Sequence, residues 1–116
     1  GSLDTPASQE AITIILNRPE ADEELKAMAL HFAARKGSVN PATLHDLYRN
    51  AESRELKRQV CHVLAMMDDE DQALDMLIEI TRTETDPEIK RDAVFWIGQF
   101  DNERAAQYLL EVINED

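Results

Sequence analysis

Few side chains in this sequence could do chemistry, and their spacing decides what that chemistry would be. His31 and His62 stand at equivalent places in an internal repeat, and Phe95 takes that place in the third copy. Two histidines one repeat apart suggest a metal site. A closed zinc site needs a fuller ligand set, however, and no further His or Cys shares the register. The better account is a column of flat rings on neighbouring helices. His45 stands alone and is expected to be solvated. Arg58 and Arg91 recur with Asp68 and Asp101 behind them, either as a ligand clamp or as a structural tie. The acidic run at 68–71 lacks the central Gly and terminal Glu of a calcium loop, and acids at a helix start favour the macrodipole. Cys61 lies on an apolar stripe with Val60 and Leu64, which predicts a buried inert thiol. The three glycines are dispersed, so no glycine-rich phosphate loop is present. No catalytic, cofactor-binding or metal-ligating set emerges, and the expectation is a non-enzyme without cofactor.

The elements that carry these residues repeat. Ser53 to Ile80 overlies Asp86 to Ile113 without a gap, position 53 falling on 86, a spacing of 33. Identities include Lys57 with Lys90, Arg58 with Arg91, Ala73 with Ala106, Leu77 with Leu110 and Ile80 with Ile113. An earlier copy runs from about residue 21, two residues shorter around Gly37, and residues 3–20 resemble half a unit. The expected division is a half repeat at 3–20 and repeats at 21–52, 53–85 and 86–116, in one domain. Gly1 and Ser2 read as a tag-cleavage scar. The abrupt ends suggest an excerpt of a longer protein, compatible with a signal segment upstream.

Apolar residues recur at three- and four-residue steps, as in Leu56, Val60, Val63, Leu64 and Met67, which predicts helices. Asp86-Pro87, Asn40-Pro41 and Thr5-Pro6 each pair a capping residue with Pro at the first helical position. Asp68 or Asp69, and Asp101, are expected to cap the second helices of their units. Gly37 supplies the left-handed residue that ends a helix. Seven helices are predicted, at 6–17, 22–36, 41–51, 54–67, 70–82, 87–99 and 103–114.

The run from Asp86-Pro87 through Lys90-Arg91-Asp92-Ala93 to Trp96-Ile97-Gly98, followed by Asp101 and Ala105-Ala106, resembles the short HEAT-like repeats of bacteria, including the PBS-lyase-like ones. The resemblance covers residues 22–113 and is strongest in the last unit. Ala27 stands where Arg58 and Arg91 stand, and only the last unit has the Gly. It implies an all-α, right-handed α-solenoid, a superhelix of antiparallel helical hairpins whose stacked neighbours close one core. It also implies that the recurring arginines tie turns together and that the second helices line a concave binding side. On those helices the outward positions include Asp46, Arg49, Asp75, Glu79, Arg82, Tyr108 and Glu111. Relatives that are di-iron hydroxylases use His-Glu pairs, absent here, and DNA glycosylases of this fold carry a basic face.

Charge narrows the partners. The chain has 116 residues, 24 acidic and 12 basic, for a net charge of -12. Such a field repels nucleic acid and anionic membranes and speeds encounter with basic or mixed protein surfaces. No apolar run is long enough for a membrane span. The expectation is a protein-binding scaffold segment; a bilin-lyase-like accessory or a structural spacer are the alternatives. In the final copy Asp75 and Glu79 become Tyr108 and Val112, which predicts extra apolar surface for packing on another repeat or for self-association. Cytoplasmic and periplasmic or secreted origins fit equally.

Overall fold

The computed structural model describes residues 6–114 except 19 and 38, with side chains from residue 10 onward. Seven helices and no strand occur among the described residues: α1 (Pro6–Asn17), α2 (Glu23–Arg35), α3 (Pro41–Asn50), α4 (Arg54–Ala65), α5 (Glu70–Thr83), α6 (Pro87–Gly98) and α7 (Glu103–Asn114). Every predicted helix is present, displaced by two residues or fewer at either end. The chain is all-α.

Local chemistry explains the boundaries. The first N–H groups of a helix lack internal partners, so short polar side chains in front of them act as acceptors. Asn40 Oδ1 accepts from Thr43 N–H at 2.8 Å, Asp69 from Gln72 at 3.1 Å and Asp86 from Glu88 at 2.9 Å. Of the two aspartates offered for α5, the structure therefore selects Asp69. The cap of α7 is Asn102 rather than the expected Asp101, because α7 begins at Glu103 and the Asn102 side chain accepts from Arg104 N–H at 2.8 Å. Two caps lie outside the sequence expectation: Asp22 accepts from Glu24 N–H at 2.7 Å, and the Ser53 hydroxyl from Leu56 N–H at 3.1 Å. Thr5, expected to cap α1, lies outside the described residues, as do Gly1 and Ser2.

Gly37 closes α2 at φ 65°. A Cβ there would meet open space, so the requirement for glycine is conformational rather than steric. Gly37→Ala is expected to cost about 1 kcal/mol, and Gly37→Asn less, because Asn tolerates the left-handed region. Urea denaturation of the two variants beside the parent measures this directly.

By its contacts the chain divides between Val63 and Leu64, inside α4, into two compact units. In the first, α1 packs on α2, and Leu30, Leu44, Val60 and Cys61 are fully buried. The Cys61 thiol is thus enclosed, as its stripe predicts. In the second, α5 packs along α6 and α6 against α7, around Leu74, Leu77, Ile89, Ala93 and Ile97, all fully buried. Repeat-equivalent residues do not share one environment. Leu77 and Ile80 are 0% and 4% exposed, whereas Leu110 and Ile113 are 60% and 75% exposed. The extra apolar surface expected on the last helix therefore comes from Leu110 and Ile113, while Tyr108 and Val112 are half-buried.

Candidate functional site

The second unit carries a polar cluster on α5 and α7. Thr81 is buried, and its hydroxyl donates to the Ile78 carbonyl at 2.7 Å. That uses its only proton, so in its hydrogen bond with Tyr108 the phenol is the donor. This bond fixes the tyrosine ring, and the Arg82 guanidinium lies over it, 5.6 Å from the ring centroid. Helix period explains the neighbours: Thr81 and Arg82 are adjacent on α5, and Tyr108 on α7 reaches both. Tyr108 is half-buried instead of fully outward, because its hydroxyl is drawn to Thr81.

One turn before Tyr108 on α7, Arg104 spans two carboxylates of α5. Its Nη1 donates to Asp71 Oδ1 at 3.2 Å and its Nη2 to Asp75 Oδ1. Hydrogen bonding to Asp75 and the field of that carboxylate, reinforced by Asp71, hold the guanidinium's pKa above its ordinary value. All three side chains are well exposed, so this fork orients more than it stabilises. Of the positions read from the sequence, the structure brings Arg82 to Tyr108 and ties Asp75 to Arg104. Glu79 and Glu111 are exposed on the same two helices.

Sequence reasoning missed Arg104 and Thr81, although one signal for Arg104 is present. Position 71 falls on 104 at the repeat spacing of 33, so opposite charges occupy one register slot in successive second helices. Adjacent helices of one unit place such slots side by side. Thr81 carries no comparable mark, since its partner is not its repeat equivalent.

In the first unit Asp46 and Arg49 are exposed on α3. Asp46 borders a cleft of about 430 Å³ that is also lined by Leu47 of α3, Leu16 of α1 and Lys26 of α2. His45 is half-buried on α3 rather than solvated. Nearby, the Lys57 ammonium sits 5.5 Å from the Tyr48 ring centroid, a cation–π contact.

The first unit also holds a brace that local patterns did not show. Both Glu23 carboxylate oxygens accept from Glu52 N–H, at 2.9 and 3.1 Å, and Oε1 accepts from Ser53 N–H at 2.6 Å. The start of α2 thereby grips the residues that open α4. Desolvation pushes the Glu23 pKa up; the bonds from Glu52 and Ser53 and the field of Lys26 outweigh it together and hold the carboxyl below its ordinary 4.5. Glu84 plays a local version of this part after α5. It is buried, and its Oε2 accepts from Thr85 and Asp86 N–H at 3.1 and 3.0 Å.

The remaining candidates take ordinary places. His31 is exposed with its ring edge-on to Phe32, centroids 5.9 Å apart, and exposed Phe95 is edge-on to Trp96 at 5.0 Å. Arg58 and Arg91 are exposed on α4 and α6. Among the described residues no three His, Cys, Asp or Glu side chains gather closely enough to hold a metal ion. None of the described helices is long and apolar enough to cross a membrane.

Against known proteins, a family model described as HEAT repeats matches residues 41–116. No curated protein and no solved structure matches the chain.

Proposed function

The chain belongs to the HEAT repeat family, whose members generally mediate protein–protein interaction or scaffolding, and on that premise we propose that it is a non-catalytic protein-binding segment whose contact surface is the polar face of the second helices. In the second unit that face comprises Asp75, Glu79, Arg82, Tyr108 and Glu111, and in the first Asp46 and Arg49. The observation that supports this most is the Tyr108 arrangement. An aromatic ring held from behind by Thr81 and flanked by an arginine has little rotamer freedom left to lose. Interface anchors are enriched in Tyr and Arg for that reason and because their apolar area is large. The net charge of -12 favours a partner surface that is basic or mixed.

The test is affinity capture with the immobilised chain, followed by binding measurements on the partner it retains. Tyr108→Ala is expected to weaken that partner by about 2 kcal/mol, roughly 30-fold. Arg82→Glu is expected to act in the same direction. Raising salt should slow association with a basic partner. A partner held equally well by the parent and by both variants would remove the face from consideration. A chain that retains no partner would favour the spacer reading.

A further inference from the structure

The two second helices of this unit carry one face in two states. On α5 the arc of Ala73, Leu74, Leu77 and Ile80 is buried. The helix that packs along α5 is α6, whose own buried stripe is Ile89, Ala93 and Ile97. Steps of three and four residues put each set on one side of its helix. At the repeat spacing, with position 73 falling on 106, the same arc of α7 is Ala106, Gln107, Leu110 and Ile113, and all of them are exposed. α7 packs through a different side: Ala105 is buried, and Leu109 comes within 3.8 Å of where a Cβ on Gly98 of α6 would stand. Its exposed apolar arc therefore keeps the letters of a covered face without the cover, and such patches mark interaction sites.

The preceding copy shows what fits: a helix with Ile, Ala and Ile at four-residue steps. The copies differ at the edge, where Gln107 replaces the fully buried Leu74. A polar edge keeps the face wetted when it is empty, which suits a neighbour that comes and goes. Charge settles the choice of neighbour. Glu103 is exposed one turn before Gln107, and the chain carries -12. A second copy brings the same charge and is repelled, whereas a helix with Lys or Arg beside its stripe is attracted.

We propose that the Ala106, Leu110 and Ile113 face of α7 docks a basic amphipathic helix of a separate protein, carrying the Ile-Ala-Ile stripe of α6. Arg104, Tyr108 and Glu111 lie around the helix from it, so this surface is distinct from the polar one proposed above.

The probe is a fluorescent peptide of residues 87–98 with Glu88→Lys and Asp92→Lys, held helical by a lactam between positions 91 and 95 to remove part of the ordering cost. Titration with the whole chain, followed by anisotropy, is expected to saturate with a Kd of about 100 μM. Leu110→Asp and Ile113→Asp, both at exposed positions, should each weaken binding at least about tenfold, and Met28→Asp, exposed on α2, should not. The peptide with Glu88 and Asp92 kept should bind several-fold more weakly. No saturation up to about 1 mM overturns the proposal. So does equal binding of a peptide with Ile89→Ser and Ile97→Ser, or an equal loss in Met28→Asp, which marks general stickiness. Sedimentation of the parent alone should show a monomer; a dimer abolished by Leu110→Asp names a second copy as occupant and overturns the proposal. Repeated on the natural protein at its full length, the titration should give the same affinity; a probe left unbound there names a further helix of the same chain as occupant and overturns it likewise.

Discussion

Leu77→Ala is expected to destabilise the chain by about 3 kcal/mol, while the same substitution at the repeat-equivalent Leu110 stays within about 0.5 kcal/mol. The two leucines align in the sequence, and only their surroundings differ. Leu77 is completely buried on α5, so truncation removes its transfer energy and leaves a cavity in a core that is close-packed. Leu110 is 60% exposed on α7, so most of its lost methyl groups already faced water. For a chain of this size the first change lowers the midpoint by roughly 12 °C, taking about 4 °C per kcal/mol. Thermal and urea unfolding of both variants measures the contrast. Equal losses at the two positions would mean that Leu110 is covered in solution, for example by a second copy. Concentration-dependent midpoints would then identify self-association as the cause.

The second large effect is expected at Glu23. Its carboxylate accepts from two backbone N–H groups, that of Glu52 shared between both oxygens and that of Ser53, and hydrogen bonds to a charged acceptor contribute about 1.5–3 kcal/mol. The site is half-exposed, so water replaces part of this, and Glu23→Ala should cost about 2 kcal/mol. Glu23→Gln keeps one acceptor oxygen and should cost less. The pH dependence has a definite sign. The folded carboxyl has a pKa below its ordinary 4.5, so the contribution is complete above about that pH. It fades as pH falls through the folded value, because the unfolded chain takes up the proton first. The stability gap between the parent and Glu23→Gln should thus be widest near neutrality and shrink in acid. A gap that does not change between pH 7 and pH 3 would show that the carboxylate is not what joins α2 to the start of α4.

These two cases show what the sequence makes legible. Helix positions follow from apolar spacing and from Asn40, Asp69 and Asp86, because caps act within three residues of themselves. Asn102 displaced Asp101 for an equally local reason, and one residue decides it. The Glu23 brace joins residues about thirty apart through side chain to backbone, and backbone N–H groups look alike in any sequence. Thr81 and Tyr108 are nearly as far apart and meet hydroxyl to hydroxyl, and no local pattern pairs them. Burial of α5 against exposure of α7 is equally hidden, since Leu77 and Leu110, or Ile80 and Ile113, are written with the same letters. The Lys26 cleft collects residues from four segments, none of which looks unusual by itself.

The Arg104 fork has a consequence for how such arrays can diverge. Asp71 and Arg104 fill one slot in successive copies, and they attract each other because the copies differ there. Flawless duplication of either unit would set aspartate against aspartate or arginine against arginine. Attraction at this slot therefore requires drift between the copies, and swapping the residues of one unit without its neighbour would turn a tie into a repulsion. Unlike letters at such slots give each unit an address, specifying which neighbour it accepts.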